Sequence, residues 1–175
     1  MVSTYYLNEA LKEAQKTDPK SVRPNPLVGA VVVDASQTIV GRGYHKKAGT
    51  PHAEVHAIED AEKNGADLSK CALYVTLEPC SHHGRTPPCT DLIIRAGIPK
   101  VVVASRDPNP LVSGLEVLQK ANIQVEFVHM EEADQLNKVF FCKPKTESPF
   151  FLIKDGRFPK WHDWKKRYWS IMAIQ

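Results

Sequence analysis

No stretch of the 175-residue chain approaches the roughly 18 apolar residues that a membrane span needs. The N-terminal MVSTYYLNEALKEAQK lacks the basic start and apolar middle of a secretory signal, and its acidic residues argue against a transit peptide. Cysteine is sparse. Cys71, Cys80, Cys89 and Cys142 are the whole set, too few for a small secreted scaffold stapled by disulfides. Charge of one sign is scarce too. Six basic and two acidic residues fall between Lys154 and Gln175, so 17 basic and 18 acidic residues remain in Met1–Ile153. A body so close to neutrality is not a nucleic-acid-binding surface by bulk charge, which argues against a nucleic-acid partner. Internal repeats and low-complexity tracts are missing as well. What remains is a cytoplasmic globular protein of about one domain, in which clustered cysteines point to metal or catalysis rather than to disulfides.

The patterns that are present alternate between helix and strand. Tyr6, Leu7, Ala10, Leu11 and Ala14 follow helical spacing within Ser3–Lys16. PKSVRPNP then breaks regular structure with three prolines. Val28–Asp34 and Thr38–Tyr44 read as a β-hairpin. A helix is predicted from His52 to Asn64, with Pro51 at its start and Gly65 just past its end. ALYVTL is a strand, PPCTDLIIRAG a helix, KVVVAS a strand buried on both faces, LVSGLEVLQKAN a helix and IQVEFV a strand. MEEADQLNKVFFCK closes the series as a helix with acids in its first turn. The order predicts an α/β fold with an antiparallel hairpin and a parallel remainder. Regularity fades after KPKTESP, which sets a domain boundary between Pro144 and Pro149.

Chemistry concentrates at PHAEV and at EPCSHHGRTPPC. His52, Cys80 and Cys89 offer one imidazole and two thiolates. Three protein ligands leave a fourth position open, the pattern of a catalytic rather than a structural zinc centre. Glu54, two residues after His52, is placed to take a proton and return it to a leaving amine. H-x-E followed by P-C matches the signature of zinc-dependent deaminases, except that the second cysteine arrives nine residues after the first instead of three.

That departure is informative. RPNPLVGAVVV, GRGYHKKAGTPHAEVHA, the run from YVTLEPC through SHHGRTPPC to DPNPLVSG, and ANIQVE closely resemble the deaminase domain of the riboflavin-biosynthesis deaminase/reductase family, over about Tyr6 to Phe141. The resemblance implies a three-layer α/β/α cytidine deaminase-like fold with a mixed, roughly five-stranded sheet. It implies Zn2+ held by His52, Cys80 and Cys89, with Glu54 shuttling protons. It implies hydrolytic deamination of 2,5-diamino-6-(5-phosphoribosylamino)pyrimidin-4(3H)-one, with release of ammonia. Asn25, His45, Asp107 and Asn109 match positions expected to line the substrate. The long spacer offers His82, Arg85 and Thr86, of which Arg85 suits a ribose phosphate. Self-association into a homo-oligomer is implied too.

Blander roles stay open beside these. His56, one turn after His52, is read as a packing or surface residue and His83 as an exposed loop residue. Arg85 as a plain surface charge and Asp107 and Asn109 as turn formers are the alternatives to substrate contact. Cys71 and Cys142 are read as ordinary thiols.

The chain also departs from the family. Residues 1–145 read as the deaminase domain. Residues 146–175, with Trp161, Trp164 and Trp169 among basic side chains, read as a tail, and a reductase domain is not expected. The sequence runs straight from Gly114 into LEVLQ, two or three residues shorter than the family pattern. Three readings follow: the pyrimidine deaminase, a zinc deaminase of another nucleobase, nucleoside or tRNA, and a zinc-binding relative without activity.

Overall fold

A computed structural model describes residues 2–82, 87–109 and 112–138, all within one compact unit spanning Met1–Cys142. Arg85, Thr86, His83, Cys142 and the tail from residue 146 lie outside the described residues.

Helix α1 (Val2–Ala14) forms where the apolar spacing predicts and buries Tyr6, Leu7, Ala10, Leu11 and Ala14. The proline-rich stretch after it is not wholly irregular, which corrects the sequence reading. Pro19–Val22 forms a single helical turn, α2, because Pro19 suits a first helical position and the Asp18 side chain accepts from the Lys20 amide. Strands β1 (Gly29–Val33) and β2 (Ile39–Tyr44) form the expected hairpin. Helix α3 (Ala53–Lys63) follows, then a 3₁₀ turn (Leu68–Lys70) and β3 (Ala72–Val75). Helix α4 (Cys89–Arg95), β4 (Lys100–Val103), α5 (Gly114–Lys120), β5 (Gln124–Phe127) and α6 (Glu131–Leu136) complete the unit. The predicted elements are present, most with shorter ends. The stretch predicted to extend α6 beyond residue 138 lies outside the described residues.

The five strands make one mixed sheet in the order β2-β1-β3-β4-β5. The hairpin is antiparallel and joins the rest through an antiparallel β1–β3 pair, while β3, β4 and β5 run parallel. Strand alternation sends Ala30, Val32, Leu73, Val75, Val101 and Val103 to the face covered by α3, α4 and α5. Val31, Val33, Tyr74 and Val102 face α1 and α6. The result is the expected three-layer α/β/α arrangement, with Val101–Val103 fully buried as a central parallel strand should be.

Small residues set the closest helix–sheet contacts. Ala53, Ala57 and Ala61 recur every four residues along one stripe of α3, against Gly41 and Gly43 of β2. A Cβ at Gly43 would collide with the backbone of Ala53 and Ala57, and one at Gly41 with that of Ala57. On the other face Gly29 meets the backbone of Ala10 and Ala14 in the same way. Between the glycines, Arg42 points to the α1 face and pairs with Glu9 at 3.0 Å and Glu13 at 3.1 Å.

Candidate metal centre and active site

The pairing pattern gathers the chemistry at one end of the sheet. Gly29 at the start of β1 lies opposite Tyr44 at the end of β2, and Ala30 lies opposite Val75 at the end of β3. Val75 in turn lies beside Val103 at the end of β4. Asn25 precedes β1, His45 and His52 follow β2, Cys80 follows β3, and Asp107 and Asn109 follow β4. All these chain segments therefore emerge at the carboxyl ends of the parallel strands, where open α/β sheets bind their ligands.

Three of these side chains converge. His52 Nδ1 lies 3.2 Å from Cys89 Sγ and 3.6 Å from Cys80 Sγ, and the three ligand atoms all fall within 4.8 Å of one another. Ligands 2.0–2.3 Å from a tetrahedral zinc stand about 3.6 Å apart, so the spacing fits that ion. Cys89 is the first residue of α4, and its amide donates to Cys80 Sγ at 3.3 Å. Donation from the Cys89 thiol, with further help from His52 and the Cys89 amide, holds the Cys80 thiol well below its ordinary pKa. The same pairing and burial push Cys89 up. A bond to Cys80 raises His52.

Glu54 sits in the first turn of α3, 3% exposed. It lies outside the three-ligand set. Its Oε2 is buried with no hydrogen-bond partner among the described residues. Burial pushes this carboxyl above its ordinary pKa, only partly opposed by His52. An ionisable oxygen held dry and unpartnered beside a metal-ligand set is costly unless it has a reacting group to serve.

The other candidates divide. His45 is 3% exposed; its Nδ1 lies 3.3 Å from the Pro51 carbonyl and its Nε2 lies 3.4 Å from Asn25 Nδ2. Its ring meets that of His52 edge to face, with centroids 5.4 Å apart. Burial lowers the His45 pKa and keeps the ring neutral near pH 7. Asn25 and His45 are thus brought to His52. Asp107 and Asn109 are half-buried in the loop after β4, where Asp107 Oδ1 accepts from the Asn109 amide at 2.8 Å. His82 is exposed. His56 is half-buried beside the edge strand β2, in a polar cleft of about 280 Å³ shared with Arg42, Lys46 and Lys63. Cys71 is buried and donates to the Asp67 carbonyl.

Two residues went unnoticed in the sequence. Glu78 of TLEPC and Asn137 beyond α6 are buried polar side chains whose hydrogen bonds go to backbone far along the chain. Asn137 accepts from the Leu27 amide at 2.8 Å and donates to the Leu27 carbonyl at 2.9 Å, which fixes the loop bearing Asn25. A polar side chain closing an amphipathic helix was the available signal, but its partner lies 110 residues away.

The chain belongs to the cytidine and deoxycytidylate deaminase family, whose zinc-binding region matches residues 2–105. Within that class it is 49% identical over 159 residues to riboflavin biosynthesis protein RibD of Escherichia coli, covering 89% of this chain and 42% of that protein. It is also 43% identical over 152 residues to the diaminohydroxyphosphoribosylamino-pyrimidine deaminase of Buchnera aphidicola, covering 85% of this chain and the whole of that protein. Among solved structures, a diaminohydroxyphosphoribosylaminopyrimidine deaminase/5-amino-6-(5-phosphoribosylamino)uracil reductase from Thermotoga maritima superposes with a TM-score of 0.76. Its sequence identity is 45%, and the match covers 81% of this chain and 40% of that one. The chain therefore spans about two fifths of the length of the longer relatives. Among the described residues no helix is long and apolar enough to cross a membrane.

Proposed function

We propose that the chain catalyses the hydrolytic deamination of 2,5-diamino-6-(5-phosphoribosylamino)pyrimidin-4(3H)-one, the riboflavin-pathway step named in its relatives. The observation that carries the reading is the buried, unpartnered Oε2 of Glu54 beside the converged His52, Cys80 and Cys89. The donor set fits Zn2+ by softness and by spacing. When bound there, the ion supplies Lewis acidity and brings the pKa of water toward about 7. Glu54 takes one proton from the attacking water and returns it to the departing amine. A C2–O bond forms, the C2–N bond breaks, and ammonia leaves. Burial raises the Glu54 carboxyl above its ordinary range, the direction that favours holding a proton in transit.

Substrate binding falls to the surrounding loops. Asn25 Nδ2 donates to the neutral His45, which leaves the Asn25 carbonyl oxygen free of that bond and available to the pyrimidine. Asp107 and Asn109 face the same end, and the spacer with His82, Arg85 and Thr86 supplies the cation for the phosphate. We further propose residues 1–145 as the catalytic domain, with 146–175 as an appended tail. On family grounds a homo-oligomer acting in the cytoplasm is proposed, where reduced Cys80 and Cys89 persist.

The test is ammonia release from zinc-loaded protein given the freshly generated ribosylaminopyrimidine phosphate. Glu54→Gln should keep one zinc per chain and lose about 10³-fold or more in kcat. Full turnover in that variant sinks the mechanism. Preference for cytidine or a tRNA adenosine moves the chain to another branch of the family. Zinc with no turnover on any of these substrates makes it an inactive relative.

A further inference from the structure

Glu78 is 6% exposed and stands two residues before Cys80. Its two carboxylate oxygens reach the loop after β4 and the first turn of α5. Oε2 accepts from the Asp107 amide at 3.4 Å, and Oε1 accepts from the Leu115 amide at 3.2 Å. The neighbouring residues add to the junction. Ser81 Oγ accepts from the Ser113 amide at 3.0 Å, and Gly114 lies so close to the Pro79 carbonyl that any Cβ there would collide with it. The segment Glu78–Ser81, which carries the ligand Cys80, is thus joined to both ends of the segment 107–115.

We infer that Glu78 is the positioning residue that ties the substrate loop to the metal-ligand segment, so that binding of the pyrimidine depends on it. This rests on the reading proposed above. The geometry bears on the shortened stretch at Gly114. One carboxylate accepts from Asp107 before the shortened stretch and from Leu115 in the first turn of α5 after it. A buried carboxylate accepting two amides ties both segments to one side chain. Amide at this position keeps one acceptor and turns a donor toward the other N–H.

The experiment compares wild-type, Glu78→Gln and Ser81→Ala proteins, zinc-loaded, by steady-state ammonia release, metal content and amide hydrogen exchange. Because the loop holds substrate and does not touch the reacting bond, Glu78→Gln should raise KM about tenfold. Its kcat should stay within about threefold of wild type, the signature of lost binding common to ground and transition states. Zinc should remain at one per chain, and the amides of Asp107 and Leu115 should lose protection. Ser81→Ala, at the rim of the same junction, should raise KM about twofold and decides the matter if Glu78→Gln does not fold. An unchanged KM in both variants, or a fall in kcat that tracks loss of zinc, overturns the assignment. Should the wild type release no ammonia, the proposed function fails. The exchange data still decide the clamp, since unaltered protection at Asp107 and Leu115 in Glu78→Gln refutes it.

Discussion

Helix α3 and the loop after β4 reach the same end of the sheet by opposite means. The first is held by bare backbone: glycine on the strand and alanine on the helix bring the two into contact with no side chain between them. It delivers His52 and Glu54. The second is held by side-chain hydrogen bonds from Glu78 and Ser81, and the Asn25 loop is held likewise by Asn137. The proposed catalytic residues thus ride on an interface with no slack, while the proposed substrate loops hang on polar clamps that one substitution can loosen. Close packing resists small displacements because any shift meets van der Waals repulsion, whereas a hydrogen bond tolerates a few tenths of an ångström.

The comparison can be broken from the rigid side first. Gly43→Ala places a methyl against the α3 backbone and should cost about 3 kcal/mol, read as the shift in a denaturant midpoint. Zinc affinity should fall with it, because His52 moves with the helix. A stable protein with unchanged zinc binding would show that the backbone contact does not set the site. Next comes the polar clamp. Asn137→Ala leaves the Leu27 amide and carbonyl buried without partners and should cost about 2 kcal/mol. It should raise KM while leaving zinc content alone. Loss of zinc instead would erase the distinction between the two regions.

A surface pair far from both sharpens the scale. Lys100 holds the Glu126 carboxyl below its ordinary value of 4.5, with a further contribution from Ser3. A carboxylate with a lowered folded pKa stabilises above that ordinary value, and the contribution is lost as pH falls through it toward the folded one. The two side chains are 30% and 35% exposed, so solvent screening keeps Glu126→Gln below about 0.5 kcal/mol at pH 7. The mutant and wild-type melting temperatures should converge at the acid end of a pH series. A wider gap there than at pH 7 reverses the sign argued here.

Much of this was legible in the sequence, for reasons that differ between elements. Alternation and helical spacing are local signals, and they placed the sheet strands and the larger helices. The convergence of His52, Cys80 and Cys89 was legible because H-x-E and P-C are short patterns tied to one chemistry. Pro19–Val22 was hidden because proline was read as a breaker where it opens a turn behind an Asp cap. Glu78 was hidden inside a motif whose cysteine drew attention, and its partners lie 29 and 37 residues away. Asn137 was hidden by distance along the chain. Local patterns reveal what a residue can do; clamps across the fold require the pairing of strands to be known.

The bond between Asn137 and Leu27 has a consequence for the order in which the protein is made. All three members of the candidate metal cluster have left the ribosome once Cys89 has emerged. The residue that closes the Asn25 loop is synthesised 48 positions later, counting from Cys89 to Asn137. A nascent chain therefore carries the whole His52, Cys80 and Cys89 cluster well before it carries the side chain that closes the Asn25 loop.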